Sequence, residues 1–148
     1  WSSFLLQNNL NVFKPLLKEI SKLDKSYYEI DVDSYTKENI EKIIEIKNII
    51  KKSFWKDTPS DTLVSKIMLW IFWNVPAFDR YFKKWLNIWA FNKDNLLKIY
   101  DFYAENKDII DNRIINTLDF NTWKKTKNIY SKAKIIDMIW FMSWFNED

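Results

Sequence analysis

The sequence predicts an all-α fold: one domain over residues 1–148, built as a single orthogonal bundle of six to eight helices. Apolar residues recur at intervals of three and four along most of the chain, which is the period of a helix with one buried face. N-capping residues or prolines precede several of these segments. No internal repeat or Pro/Ser-rich linker divides the chain.

The first two helices are predicted between residues 15 and 54. Pro15 opens a helix that runs to about Asp24. Residues 27–35 mix aromatic and β-branched residues with acids, which predicts an extended linker or a short strand. Thr36 is the predicted N-cap of a long helix. The apolar face of that helix contains Ile40, Ile43, Ile44, Ile50 and Phe54.

A helical hairpin is predicted in the middle of the chain. Pro59 reads as a first-turn proline that begins an apolar helix reaching Ile71. Residues 73–76 form the turn, and a short helix follows over residues 79–84. The first of these helices is apolar enough to be central.

The last third is predicted to contain three further helical pieces. Asn92 is the expected N-cap of a helix through Tyr103, and residues 106–115 hold a short helix. Residues 116–126 are predicted to be a loop, and the last helix spans residues 131–145. The residues expected to face inward on the first and last of these helices are Leu96, Leu97, Tyr100, Tyr103, Ile135, Ile136, Ile139, Met142 and Phe145.

The composition excludes several classes of site. The chain contains no cysteine and no histidine, so a disulfide, a zinc finger, a thiol nucleophile and a Ser-His-Asp triad are all absent. A carboxylate-only metal site stays open, but the sequence indicates no particular metal or cofactor. The net charge of +3 is too small to imply nucleic acid by itself.

No membrane segment or signal peptide is evident in the sequence. The longest clean apolar run, residues 67–73, is far shorter than the roughly 18 residues of a membrane span. We therefore expect a soluble, cytoplasmic protein with no membrane partner. The first residue is Trp rather than Met, so we expect the native N-terminus to lie upstream.

The chain has no glycine and nine tryptophans. About ten glycines are expected at average usage, so chance is a poor explanation. The surplus of Lys, Ile and Asn is typical of an AT-rich coding sequence. We hypothesise that many or all of these tryptophans are native glycines encoded by UGA. Trp55, Trp73, Trp85 and Trp123 lie at expected turns or helix ends, where glycine is the usual residue, whereas Trp70, Trp140 and Trp144 fall in apolar stretches compatible with a core.

Lys66 and Asp79 are the candidate catalytic residues. A lysine on a largely apolar helix has the environment that lowers an amine pKa and makes it nucleophilic. A carboxylate just after a turn could orient water or stabilise positive charge. The alternative is structural: Lys66 extends its amine to solvent, and Asp79 pairs with Lys83 at i, i+4.

A basic cluster and a second acid are further candidates. Lysines at positions 124, 125, 127, 132 and 134 occur within eleven residues that contain no acid, which suits contact with phosphates, and the alternative is an ordinary solvated face. Asp137, flanked by large apolar residues, is interpreted as a buried anchor that caps a neighbouring element or pairs with a lysine. A catalytic role is the alternative for Asp137.

Residues 62–67 and 75–79, together with Ile136-Asp137-Met138, resemble uncharacterised relatives of the helix-hairpin-helix DNA glycosylase superfamily. The resemblance implies an all-α fold, DNA-backbone binding at a hairpin, and a Lys or Asp serving base excision on a flipped-out base. The apolar-Gly-apolar-Gly hairpin of that superfamily is absent. Even with glycine at positions 70 and 73, the two are three residues apart rather than two.

Two classes of function follow from these observations. The first is a DNA-binding helical domain with glycosylase or lyase character, in which Lys66 and Asp79 face a pocket. Its phosphate contacts would come from Lys83, Lys84, Lys124, Lys125 and Lys127. The second is a non-enzymatic helical scaffold or protein-interaction module. The sequence does not indicate an oligomeric state.

Overall fold

The computed structural model describes residues 10–54 and 59–145, with side chains described for residues 11–54 and 59–143. These ranges contain seven α-helices, in agreement with the predicted six to eight, and two β-strands. In chain order the elements are α1 Lys14–Ile20, α2 Lys37–Ser53, α3 Asp61–Ile71, α4 Arg80–Trp85, α5 Lys93–Glu105, α6 Lys107–Asp111, β1 Asn116–Leu118, β2 Lys125–Ile129 and α7 Lys132–Phe145. Short 3₁₀ turns occupy Leu10–Phe13, Lys25–Tyr27 and Val32–Ser34.

The fold is predominantly helical, which confirms the predicted class in part: a small two-stranded sheet accompanies the helices, so the fold is not strictly all-α. Residues 116–126, predicted to be a loop, contribute to an antiparallel β-hairpin in which Asn116 pairs with Ile129 and Leu118 with Lys125. The two strands are short and mostly exposed, so they lack the alternation of apolar and polar residues from which a strand is usually predicted.

The prediction of an extended linker or strand at residues 27–35 is wrong. One 3₁₀ turn, Val32–Ser34, lies within this range and another, Lys25–Tyr27, ends at its first residue, and an aspartate caps each turn. Asp24 accepts the backbone N–H of Ser26 at 2.9 Å, and Asp31 accepts that of Val32 at 2.7 Å. Such side-chain bonds favour turns over extended backbone.

Two of the predicted helix caps are confirmed, and one helix start is shifted. The side chains of Thr36 and Asn92 each accept a backbone N–H in the first turn of the following helix, at 3.2 and 2.9 Å. The helix predicted to start at Pro59 begins instead at Asp61, because Ser60 is its N-cap and the proline precedes the cap. The first helix ends at residue 20 rather than 24.

The core forms around α2, which packs against α1, α3 and α5. The largest completely buried side chains come from these helices, from α4 and α6, and from the loops on either side of α4: Leu16, Ile43, Ile46, Ile50, Met68, Phe78, Phe82, Ile88, Phe91, Leu96, Ile99 and Ile110. Leu97, Tyr100 and Met142 were predicted to face inward but are exposed. Phe145 lies outside the described side chains.

Helix α7 is anchored at its N-terminus by a distant carboxylate. Asp31 accepts the backbone N–H groups of Lys132 and Ala133 at 2.7 and 2.9 Å. The Lys132 side chain pairs with Asp33 and lies 3.3 Å from Asp111. These contacts tie α7 to the 3₁₀ turn at Val32–Ser34 and to α6.

Asp61 joins three parts of the fold at the start of α3. Its carboxylate accepts from Lys51 Nζ at 2.8 Å and from the Phe91 N–H at 2.9 Å, and Lys47 Nζ lies at 3.5 Å. Burial alone would raise the pKa of this carboxyl. The hydrogen bonds from Lys51 and Phe91 and the charge of Lys47 outweigh burial and lower the pKa.

Asp61→Asn is expected to reduce the free energy of unfolding by about 1–3 kcal/mol at pH 7, because it removes the charged acceptor of these bonds. A lowered folded-state pKa stabilises the protein above the unfolded pKa, near 3.9, and that stability is lost as the pH falls through the folded value. Urea titrations from pH 7 to pH 2 should therefore show the two proteins converging at low pH. Asp94→Asn, at an exposed first-turn acid of α5, is the control.

Candidate functional site

A pocket of about 800 Å³ lies between α3, residues 75–79, the chain that enters β1, and α7. Its volume is typical of small-molecule and cofactor sites, and much of its wall is apolar. The charged residues that line it are Lys66, Asp79, Arg113, Lys134 and Asp137. The structure thus brings both sequence-predicted catalytic residues, Lys66 and Asp79, to one pocket.

One wall of the pocket belongs to an irregular stretch of backbone, residues 74–78, which we call the buried segment. All five of its residues are buried although it is neither helix nor strand. Two hydroxyls of α3 bind its last residue: Ser65 Oγ accepts the Phe78 N–H at 2.7 Å, and Thr62 Oγ1 donates to the Phe78 carbonyl at 2.8 Å. These bonds replace the missing regular pairing.

The first residue of the buried segment is fixed by Tyr35, whose hydroxyl donates to the Asn74 carbonyl at 2.5 Å. Burial raises the pKa of the Tyr35 hydroxyl well above its usual value, so the donor proton is retained across the physiological range. Among the described residues, the side-chain amide of Asn74 has no hydrogen-bond partner although both its polar atoms are buried. Such a group is costly to hold inside a protein.

Asp137 anchors the middle of the buried segment to α7. Its carboxylate accepts the Ala77 N–H at 3.1 Å and the Lys134 ammonium at 2.7 Å, and the Trp140 indole N–H lies 3.5 Å away. The interpretation of Asp137 as an anchor paired with a lysine is confirmed. Its catalytic role stays an untested alternative.

Asp79 ends the pocket wall and begins α4. Its Oδ1 accepts the backbone N–H groups of Tyr81 and Phe82 at 3.0 and 2.9 Å, so it is the N-cap of that helix. The alternative pairing with Lys83 at i, i+4 is not formed, because the carboxylate is turned to the helix N-terminus. The catalytic assignment of Asp79 stays a prediction.

Lys66 lies on α3 one residue after Ser65, which binds the buried segment. Its side chain is half-buried and lines the pocket. A lysine that lines the pocket is placed to meet an occupant. The prediction that Lys66 acts as a nucleophile is compatible with this position.

The three predicted phosphate-binding lysines of the hairpin, Lys124, Lys125 and Lys127, are all exposed. In the part of the chain that the structure describes, none of them forms an ion pair. They therefore present unneutralised charge to solvent. The hairpin joins the pocket through Arg113 and Ile115, which precede β1 and line the pocket.

The other lysines of the basic cluster and of α4 are placed differently. Lys132 and Lys134 are engaged in ion pairs with acids, so they contribute less to an exposed basic surface than the sequence suggested. Lys83 and Lys84 lie on α4, and neither lines the pocket; Lys84 is exposed and Lys83 is half-buried.

Arg113 is a site residue that sequence reasoning missed. It precedes the hairpin by three residues, is exposed and lines the pocket. Because the hairpin itself was predicted to be a loop, nothing in the sequence connected Arg113 with the pocket. The signal available in the sequence was the residue type. Arginine is rare in this lysine-rich chain, and its planar guanidinium group binds phosphate or carboxylate groups with paired N–H donors.

Comparisons with protein-family models, curated proteins and solved structures give no match. Within residues 10–54 and 59–145, no group of three or more acidic side chains is arranged to hold a metal ion, and no helix is long and apolar enough to cross a membrane. The function must therefore be argued from the pocket, its buried wall and the basic hairpin.

Asp137→Ala is expected to lower the free energy of unfolding by about 1–3 kcal/mol, because the Ala77 N–H and the Lys134 ammonium both lose their acceptor. Thermal and urea unfolding provide the measurement. Asp101→Ala removes an exposed acid from α5 and should change stability by less than about 0.5 kcal/mol. Equal effects of the two substitutions would contradict the anchoring role of Asp137.

Proposed function

We propose that this chain binds DNA through the face made by the hairpin and the mouth of the pocket. The observation that carries the proposal is the exposed charge of Lys124, Lys125 and Lys127 on a hairpin whose base brings Arg113 to the pocket. Lysine and arginine contacts to phosphates supply most of the sequence-independent affinity for DNA.

The charge is concentrated rather than spread over the surface. Residues 113–134 contain six basic residues and one acid, while the whole chain has a net charge of only +3. The one acid, Asp119, is used within the hairpin turn, where it accepts the N–H groups of Asn121 and Thr122. A small two-stranded ribbon with this charge has the dimensions to follow a DNA groove.

Lys83 and Lys84 form the second part of the proposed phosphate-binding surface. They lie on α4, whose N-cap Asp79 lines the pocket. The start of α4, through Tyr81, and the chain that leads into the hairpin, through Arg113 and Ile115, therefore border the same pocket. The pocket itself could receive a single nucleotide turned out of the helix.

Base excision is the second function that we propose for the same site, and the presence of Lys66 in the pocket supports it. In this reaction the Lys66 amine attacks C1′ of the flipped nucleotide, and the C1′–base bond breaks with its electron pair going to the base. One amine proton passes to the leaving base, and the other to O4′ as the sugar ring opens to an imine.

The alternative function is a non-enzymatic scaffold or interaction module. It is favoured by the structural use of both pocket acids, Asp79 as an N-cap and Asp137 as an anchor. In that case the pocket acids matter for stability alone, and the hairpin lysines only keep the protein soluble. The two following experiments separate the three functions.

Replacing Lys124, Lys125 and Lys127 together by Ala is expected to weaken DNA binding uniformly across sequences. Because about 0.9 counterion is released per phosphate contact, the slope of log K against log salt should fall by about 2–3. Fluorescence anisotropy with a labelled duplex at several salt concentrations measures this slope.

The matched control is the triple substitution of Lys18, Lys37 and Lys98, which are also exposed and outside any ion pair in the described residues. This control removes the same total charge and should change the slope of log K against log salt only slightly. A Lys83→Ala/Lys84→Ala variant tests the α4 part of the surface. Absence of salt-dependent binding by the unmodified chain would leave the scaffold as the function.

Sodium borohydride should trap a covalent complex between the chain and DNA that contains damaged or mismatched bases, because borohydride reduces the imine to a stable amine. Lys66→Ala should abolish the complex while duplex affinity and melting temperature stay close to those of the parent. If a panel of such duplexes binds but gives no trapped complex, base excision is refuted and DNA binding stands.

A further inference from the structure

Two of the three residues with positive φ in the described chain are tryptophans. Trp73 has φ of 58° and Trp123 has φ of 56°, and the third residue is Asn87 with φ of 52°. Asparagine adopts this left-handed conformation readily, whereas a bulky residue there is an outlier, because its Cβ crowds the backbone. Glycine is the ordinary residue at such positions.

Trp73 ends α3. Its N–H donates to the Met68 carbonyl at 3.0 Å, so the chain closes the helix and turns away in a single left-handed residue. Helices commonly finish in this manner, and the residue that does so is usually glycine. The Trp73 ring compensates in part by stacking on Tyr130 at 5.3 Å.

Trp123 completes the hairpin turn. The Asp119 carboxylate accepts the N–H groups of Asn121 and Thr122, the Trp123 N–H donates to the Asp119 carbonyl at 2.7 Å, and the chain then enters β2. A type I turn followed by one left-handed residue is the common form of such loops, with glycine at the left-handed place.

Exposure gives an independent indication. Trp70, Trp89 and Trp123 are 70%, 78% and 71% exposed, although tryptophan is on average a highly buried residue. Trp140 and Trp85 differ, since the first is buried and the second packs against the core. The prediction that Trp70 could be a core residue is wrong. Trp55 and the Trp144 side chain lie outside the described residues.

We propose that positions 73 and 123 are glycine in the protein as its own cell makes it, because UGA codons in its gene are translated as glycine. The proposal explains together the absence of glycine, the nine tryptophans and the left-handed backbone at exactly these two places. It is independent of DNA binding.

The direct test is peptide mass spectrometry on protein purified from the cells that carry the gene. Trypsin should release residues 67–80, which contain positions 70 and 73, and residues 114–124, which contain position 123. We expect the masses of the glycine forms. Residues 94–98 contain no tryptophan and serve as the internal control. Tryptophan at positions 73 and 123 would overturn the proposal.

A second test uses recombinant protein with the printed sequence. Trp123→Gly should raise the melting temperature by about 2–8 °C, because a Cβ in left-handed backbone has a steric cost that glycine avoids, and the indole that is lost is mostly exposed. Trp89→Gly is the matched control: it removes an equally exposed indole from a residue without positive φ and should give no increase. Equal responses of the two variants would count against the proposal.

Discussion

The buried segment at residues 74–78 is the constraint on which the rest of the site depends. Irregular backbone inside a protein must find hydrogen-bond partners outside itself, since an unsatisfied peptide group costs about as much as a lost hydrogen bond. Here the partners are side chains from three places: Thr62 and Ser65 of α3, Tyr35 before α2, and Asp137 of α7. One short segment thereby fixes the relative positions of helices that are far apart in sequence, and it forms the pocket wall between them.

This constraint also limits the chemistry of the pocket. Asp137 accepts hydrogen bonds from the buried segment and from Lys134, and Asp79 Oδ1 accepts a hydrogen bond from the N-terminus of α4. Each acid therefore already stabilises backbone that the fold needs. The other charged residues that line the pocket, Lys66, Arg113 and Lys134, are all cationic, which is why an anionic ligand such as a nucleic acid is the better match than a cation.

Much of the helical framework could be predicted from the sequence, because caps and periodicity are local. Thr36 and Asn92 were predicted as N-caps, and both side chains cap the helices that follow them. The inward face of α5 was less predictable, because apolar residues lie on two faces of this helix. Leu96 and Ile99 are buried, whereas Leu97 and Tyr100 are exposed. Only the packing of α5 against α2 decides which pair faces the core. Lys66 and Asp79 could be placed near one turn from sequence, whereas Arg113 reaches the pocket through tertiary structure alone.

The missed hairpin has a more specific cause. Short exposed strands carry little hydrophobic signal, so a reader of the sequence depends on the turn between them, and the strongest turn signal is glycine at the left-handed residue. In the printed chain that residue is Trp123, and Asn121-Thr122-Trp123-Lys124 does not look like a turn. With glycine at position 123 the same four residues, preceded by Asp119, would predict a hairpin loop. The failure to predict the hairpin and the absence of glycine from the composition then have the same cause, which is UGA codons read as tryptophan.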